Sequence, residues 1–336
     1  MGSTVINKAT KPAPQLAWIA ADWGSSNLRV WGLDKHDQVI AQASSDKGML
    51  ALKANEYEAE LRRLVADWLP TTGQIDVMVC GMSGARQGWL EAAYLPVPTR
   101  LDQLSQGAVT PTLTGNQLAV YLLPGLSQTR STATHFDVMR GEETQLAGLV
   151  ADSPDFTGLA CLPGTHAKWA TLEAGTVSGF STYLTGELYQ LLASQSVLKH
   201  SVSSPSAAKD GLNDQACRDA FISAVRAINE APETFSSRLF GLRAQDLLDG
   251  QLPTGNTRNA VLAARLSGLA IGLELAGACR EYSTDKPIML IGNPTLSQRY
   301  RLALNAIGYQ TQHLDGDTAV LAGLRLAHYA LEATDC

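Results

Sequence analysis

One local pattern occurs twice in this chain and restricts its fold more than any other feature. An apolar run, Leu16 to Ala21, enters Asp22-Trp23-Gly24-Ser25-Ser26-Asn27 and is followed by a second apolar run, Leu28 to Leu33. Residues 158–182 repeat the outline: an apolar run meets Gly164-Thr165, a second carries Lys168, and a Gly turn leads to a third. In both copies the strand runs into Gly followed by Ser or Thr, and a basic residue, Arg29 or Lys168, sits on the next strand. The spacing differs by one, so this is an echo of topology and not a strict repeat. It predicts two α/β halves, each opening with a hairpin loop, and a length of 336 residues suits two domains.

The intervening sequence supplies the helices and parallel strands such halves need. Val39 to Ala43 completes the first meander, and residues 57–69 place Leu61, Leu64, Val65, Trp68 and Leu69 on one helical face. Residues 75–80 and 118–123 read as buried strands, with a helix starting near Arg140. Residues 287–331 read as strand, helix, strand, helix, a βαβ unit and its following helix. The longest apolar stretch, residues 261–279, contains Arg265 and Glu274, which predicts a buried helix packed closely at Gly268 and Gly272 and not a membrane span.

Bulk properties narrow the partners. A net charge of −6 without a stripe of Lys and Arg excludes a nucleic-acid backbone as the natural partner. Cys80, Cys161, Cys217, Cys279 and Cys336 are odd in number and scattered, so they predict reduced packing thiols, with no disulfide framework or zinc site. Residues 1–14 lack the apolar core of a signal peptide, and Ile6 stands where a myristoylation signal needs Ser or Thr. The expectation is a flexible tail on a cytoplasmic protein that binds small molecules and no membrane.

Each motif has a functional and a structural reading. A tight turn of Gly24, Ser25 and Ser26 exposes backbone N–H groups to an anion, and Asp22 beside a phosphate makes sense with Mg²⁺ between them. The alternative is a hairpin turn using Asp and Asn for local hydrogen bonds. Gly164-Thr165, with His166 and Lys168 close by, offers a second turn, and two turns at matching places could hold a polyphosphate. Residues 80–89 follow a strand with glycines spaced unlike a dinucleotide fingerprint, and the chain has no P-loop. Arg86 has the fork for a carboxylate, and Gln87 and Trp89 could line a sugar-like substrate. Asp137, Glu142 and Glu143 cluster around a helix start, where the helix dipole favours acids, and one of them could serve as a general base. Thr185 is a plausible N-cap, and Gly292-Asn293 ends a buried strand where an adenine could lie against the backbone.

With these pieces assembled, residues 19–34, 80–89, 137–148, 162–169, 180–188 and 266–275 resemble the 2-dehydro-3-deoxygalactonokinase family, which looks like part of the actin, Hsp70 and sugar-kinase superfamily. The resemblance implies an α/β fold of two duplicated actin-like (ribonuclease H-like) ATPase domains with a cleft between them. The expected division is 15–140 and 141–336, with the final helix free to pack back on the first domain. It implies transfer of the ATP γ-phosphoryl group to the 6-hydroxyl of 2-dehydro-3-deoxy-D-galactonate. In that scheme Asp22 orients Mg²⁺, the Gly24-Ser25-Ser26 and Gly164-Thr165 turns with Lys168 hold phosphates, and Gly292 and Asn293 meet the base. Arg86 with Arg29, together with Ser83, Gln87 and Trp89, binds the sugar acid, and Asp137, Glu142 or Glu143 is the base. Ser25-Ser26 stands where family members often carry Thr-Thr, which keeps the hydroxyls. Open alternatives are a kinase of the gluconate epimer or another sugar acid, and a non-enzymatic nucleotide switch; a homodimer is compatible with any of them.

Overall fold

The computed structural model describes residues 16–129, 135–202, 211–280 and 282–333. The expected N-terminal tail and Cys336 lie outside the described residues. The chain divides into two units, Met1–Thr157 with Leu172–Gly179 and Gly316–Cys336, and Gly158–Thr171 with Phe180–Asp315.

The first unit opens with the meander β1 (Trp18–Trp23), β2 (Leu28–Leu33) and β3 (Val39–Ser45), followed by α1 (Tyr57–Val65) and β4 (Ile75–Gly81). Short strands β5 (Tyr94–Pro96) and β6 (Thr99–Arg100) precede β7 (Leu118–Leu122), β8 (Gly125–Gln128), β9 (Asp137–Met139) and helix α2 (Glu142–Asp152). The main sheet has the order β3-β2-β1-β4-β7. β1, β2 and β3 pair antiparallel, whereas β4 joins β1 and β7 joins β4 in parallel. A separate sheet, β5-β8-β9, was not foreseen from the sequence, because strands of three or four residues carry too little periodicity to register.

The second unit repeats the plan. Its meander is β10 (Gly158–Leu162), β11 (Ala167–Glu173) and β12 (Thr176–Tyr183), followed by α3 (Thr185–Gln195), α4 (Gln215–Glu230), α5 (Phe235–Leu248) and α6 (Gly255–Ala278). Then come β13 (Ile288–Gly292), α7 (Pro294–Ala306), β14 (Thr311–Asp315) and the last helix, α8 (Gly316–Glu332). The order β12-β11-β10-β13-β14 reproduces that of the first sheet, with β13 parallel to β10 and β14 parallel to β13. The tip of β12, Thr176 and Val177, lies in the first unit and pairs with β6.

Strand β1 is buried on both faces, as a central strand flanked by helices must be. Ile19, Ala21 and Trp23 pack with Tyr57 and Leu61 of α1. Trp18 and Ala20 pack on the other side with Val320 and Leu324 of α8. Helix α2 packs against α8, so both belong to the first unit. The division therefore falls after Thr157, beyond α2, and not at the expected 140/141 step.

Other differences are local. Strand β1 extends two residues past its expected end, so Asp22 is a strand residue. Thr185 is the first residue of α3 and not its cap; Leu184 precedes it and supplies no capping side chain. Cys80, Cys161, Cys217 and Cys279 are free and buried.

Helix α6 is long and apolar enough to cross a membrane, yet 72% of its apolar window is buried. A Cβ at Gly268 would lie 2.4 Å from the carbonyl oxygen of Phe221 in α4, so only hydrogen fits there. Gly268→Ala is expected to destabilise the fold by about 1–3 kcal/mol through overpacking, seen as a lower denaturant midpoint with unchanged slope. A wild-type midpoint would show that α4 and α6 can move apart freely.

Candidate active site

In the first unit the hairpin register places Asp22 directly across from Arg29. Arg29 Nη2 donates to Asp22 Oδ2 at 2.5 Å, and Nη1 donates to Asp317 at the start of α8. Burial alone would lower the Arg29 pKa, but the Asp22 charge and the hydrogen bonds to both carboxylates leave it above its ordinary value. Beyond Asp22, Gly24 N–H donates to Asn27 O at 2.8 Å and closes the turn. The carbonyls of Gly24 and Ser25 accept from Met49 and Leu50. The N–H groups of Ser25 and Ser26 make no hydrogen bond among the described residues, and both residues are exposed. A turn with its carbonyls engaged and its amides left without internal partners has the chemistry of an anion receptor. A cavity of about 650 Å³ opens here, lined by Asp22, Gly24, Ser25, Ser26, Arg29 and neighbouring residues.

The end of β4 joins this hairpin to the acidic junction. Cys80, fully buried, points its Sγ at Asp22 Oδ1, 3.7 Å away. Burial, then the charges of Asp22 and Glu143, push the Cys80 thiol well above its usual range, which places both carboxylates beside it. A Cβ on Gly141 would lie 3.5 Å from the Gly81 Cα, so the start of α2 abuts the β4 terminus.

The three candidate bases differ sharply. Glu143 is fully buried, both of its oxygens accept from Gly141 N–H at 2.9 and 2.7 Å, and burial pushes its pKa up to about 8. A carboxyl without surface cannot meet a substrate hydroxyl, which removes Glu143 from the expected bases. Glu142 keeps partial exposure and accepts from Arg140 N–H at 3.1 Å. Asp137 lies on β9, with Oδ1 accepting from Val138 N–H at 2.8 Å.

The loop after β4 departs further from expectation. Trp89 stacks on Tyr57 at 5.7 Å and meets Trp23 edge-on at 6.0 Å, so this half-buried ring extends the core. Ser83 is fully buried, with its Oγ unpartnered among the described residues. Arg86 and Gln87 are exposed, and Arg86 Nε reaches Glu91 at 3.3 Å. Arg29, bound to two carboxylates, is committed to holding Asp22.

In the second unit the N–H groups of Gly164 and Thr165 make no hydrogen bond among the described residues. Thr165 O accepts from Glu187 N–H at 3.1 Å, and Glu187 Oε2 lies 2.6 Å from His166 Nε2. Lys168 is buried in β11 and donates to Thr182 Oγ1 of β12 at 2.9 Å. Next to the turn is a cavity of about 670 Å³, mostly apolar, whose lining includes Gly164, Thr185, Ala270, Asn293, Arg299 and Tyr300. Its volume suits a drug-sized ligand such as a nucleoside. Asn293 lines it while its Oδ1 caps α7 by accepting from Thr295 N–H at 2.9 Å. Gly292 ends β13 at a φ of +148°, a conformation that favours glycine. Sequence reasoning missed Asp317 and the wall residues Arg299 and Tyr300, and read Thr185 as a helix cap and not as a wall. No motif marks Asp317, Arg299 or Tyr300, since helix packing alone carries them to these places.

Residues 22–327 match the family described as 2-keto-3-deoxy-galactonokinase. A relative in Rhizobium meliloti (strain 1021), named "Probable 2-dehydro-3-deoxygalactonokinase", is 36% identical over 314 residues, covering 94% of this chain and 97% of its own. The 2-dehydro-3-deoxygalactonokinase of Escherichia coli (strain K12) is 33% identical over 313 residues, covering 93% and 97%. A crystal structure from Sinorhizobium meliloti, provisionally assigned to the same kinase, aligns with a TM-score of 0.80 at 35% identity, covering 94% of this chain and 99% of that one. The α/β fold is thus shared with that crystal structure, and the chain belongs to the 2-keto-3-deoxy-galactonokinase family, whose members are sugar-acid kinases.

Proposed function

We propose that the chain transfers the γ-phosphoryl group of ATP to the 6-hydroxyl of 2-dehydro-3-deoxy-D-galactonate, a step of galactonate catabolism in the cytoplasm. The observation that carries this reading, beyond family membership, is the pair of hairpin turns with free outward amides, one in each unit. Phosphoryl transfer asks for positioning and charge neutralisation more than for covalent chemistry, and such turns supply both.

The residues take the following roles. The amides of Ser25 and Ser26, and those of Gly164 and Thr165, donate to phosphate oxygens of ATP. The 670 Å³ cavity beside Asn293 takes the adenosine end. Glu142 is the base that accepts the 6-hydroxyl proton: it retains surface, and the start of α2 abuts the β4 end beside Asp22. Arg86, whose guanidinium pairs only with Glu91 among the described residues, holds the sugar-acid carboxylate through its fork.

Mg²⁺ fits this site in a limited way. Among the described residues no three His, Cys, Asp or Glu side chains gather to hold a metal. Mg²⁺ needs no such cage, because it is bound by one or two carboxylates with phosphate oxygens and water completing its shell. Asp22, one oxygen of which is engaged by Arg29, would supply that carboxylate directly or through water. The ion, arriving with ATP, would neutralise phosphate charge. Arg29 fixes the direction of the Asp22 carboxylate whether or not the ion is present.

Three outcomes are expected. ADP release from Mg·ATP is stimulated strongly by 2-dehydro-3-deoxy-D-galactonate and little by its gluconate epimer or free galactose; equal stimulation by the epimer would move the specificity elsewhere. Asp22→Asn and Glu142→Gln each lower kcat by on the order of 10²-fold with the fold intact by circular dichroism, whereas Asp137→Asn does not. If Asp137→Asn is the crippled variant, the base assignment passes to Asp137. Arg86→Lys raises KM for the sugar acid about tenfold with kcat nearly unchanged, since a point charge cannot reproduce the fork; an unchanged KM would refute the carboxylate role.

A further inference from the structure

Behind the cavity of the second unit lies a carboxyl group that the scheme above does not use. Glu274 sits in the apolar middle of α6 and is 2% exposed. A carboxyl so placed is costly unless its oxygens are occupied by donors. Trp169 Nε1 donates to Oε1 at 2.7 Å, Tyr300 Oη donates to Oε2 at 2.8 Å, and the Thr185 side chain hydrogen-bonds to the same carboxyl. One side chain on α6 thereby ties down β11, α7 and the first residue of α3.

Two of these donors, Thr185 and Tyr300, are also walls of the 670 Å³ cavity. From Thr185 the connection continues into the Gly164-Thr165 turn. At the next residue, Gly186, a Cβ would stand 2.6 Å from Gly164 O and 2.7 Å from Thr165 Cα, so helix and turn are in backbone contact. Glu187 then binds the turn twice, through its N–H to Thr165 O and through its carboxylate to His166.

We propose that Glu274 is a positioning residue for the nucleotide, fixing the start of α3 against the Gly164-Thr165 turn through Thr185 and one cavity wall through Tyr300. Its protonation state then sets ATP affinity. This rests on the reading that the cavity and the turn bind ATP.

Hydrogen-bond chemistry explains why protonation matters. An ionised carboxylate can accept from all three donors at once. A protonated one must donate its own hydrogen, and the Trp169 N–H cannot turn round to accept it. The reversal falls on the hydroxyl of Thr185 or of Tyr300, the two groups that line the cavity. Burial pushes the Glu274 pKa up to about 7, with the three donors pulling against it. The neighbouring titratable groups stay neutral near that pH. Burial raises Cys161 on β10, Tyr183 on β12 and Tyr300 on α7, and pushes Cys279 just past α6 up to about 12. Ionised Glu274 prevails above its pKa, so affinity falls as the pH drops through it.

The test is calorimetric binding of Mg·ATP and of adenosine to the wild type and to Glu274→Gln between about pH 6 and pH 8. ATP itself titrates in this range, and the variant cancels that contribution, while adenosine carries no phosphate. The wild type is expected to lose about threefold to tenfold more affinity for both ligands on acidification than Glu274→Gln, with KM for the sugar acid unchanged. Identical pH dependence in the two proteins overturns the proposal. Should Glu274→Gln fail to fold, Tyr300→Phe decides: loss of one donor to the carboxylate must move the midpoint of the adenosine profile to higher pH, and an unmoved midpoint counts against Glu274. Ala270→Phe, which fills the cavity, separates the underlying reading from this inference. If it leaves adenosine binding intact, the nucleotide lies elsewhere and both fall; if it abolishes binding, the pH comparison judges Glu274 alone.

Discussion

The register of the β1–β2 hairpin carries most of the first unit's chemistry. Antiparallel pairing opposite a four-residue turn sets Asp22 across from Arg29, and the turn beyond them closes on Gly24 and Asn27. Because side chains alternate along a strand, the same register directs Ile19, Ala21 and Trp23 to one core and Trp18 and Ala20 to the other. A slip of one residue would bury Arg29 and exchange the two cores. The hairpin therefore positions the acid, its counter-charge and the turn amides in one step.

Each unit keeps its acids in check by different means. Asp22 is held by a charged partner, and Arg29 in turn is held by Asp317. Glu143 is held by a backbone N–H and Glu274 by side-chain donors, and burial raises the pKa of both. Such environments separate tasks among chemically similar groups: a carboxyl that keeps surface can meet a substrate, whereas a sealed one holds its proton to higher pH. That contrast, and not proximity in sequence, distinguishes Glu142 from its neighbour Glu143 as the candidate base.

Much of the architecture was legible in the sequence. The hairpin echo predicted two α/β halves, and both main sheets follow one order, with a meander on one side and two parallel strands on the other. The late strand-helix-strand-helix reading matches β13, α7, β14 and α8, because long amphipathic and apolar runs leave clear periodicity. Site residues were harder to read. Trp89 has the chemistry of a sugar platform but was drawn into the aromatic cluster with Tyr57 and Trp23, where burying its ring gains more. Arg29 was expected at the substrate and instead spends its fork on two carboxylates, one of them far along the chain. Glu274 did leave a signal, as an acid inside an apolar helix, but a lone acid does not name its donors.

The sequence by itself determined the local order: which runs become strands, where glycine and hydroxyl residues make turns, and that the plan occurs twice. These follow from short-range sterics and from alternation or helical period, which act over a few residues. Only the tertiary structure decided which carboxyls keep surface and which are sealed, that α8 returns to cover β1, and that Thr185 and Tyr300 share one buried carboxyl. Those outcomes depend on groups distant in the chain being brought within hydrogen-bond reach. Burial and partner charge then set each group's chemistry, and neither is encoded at the residue's own position.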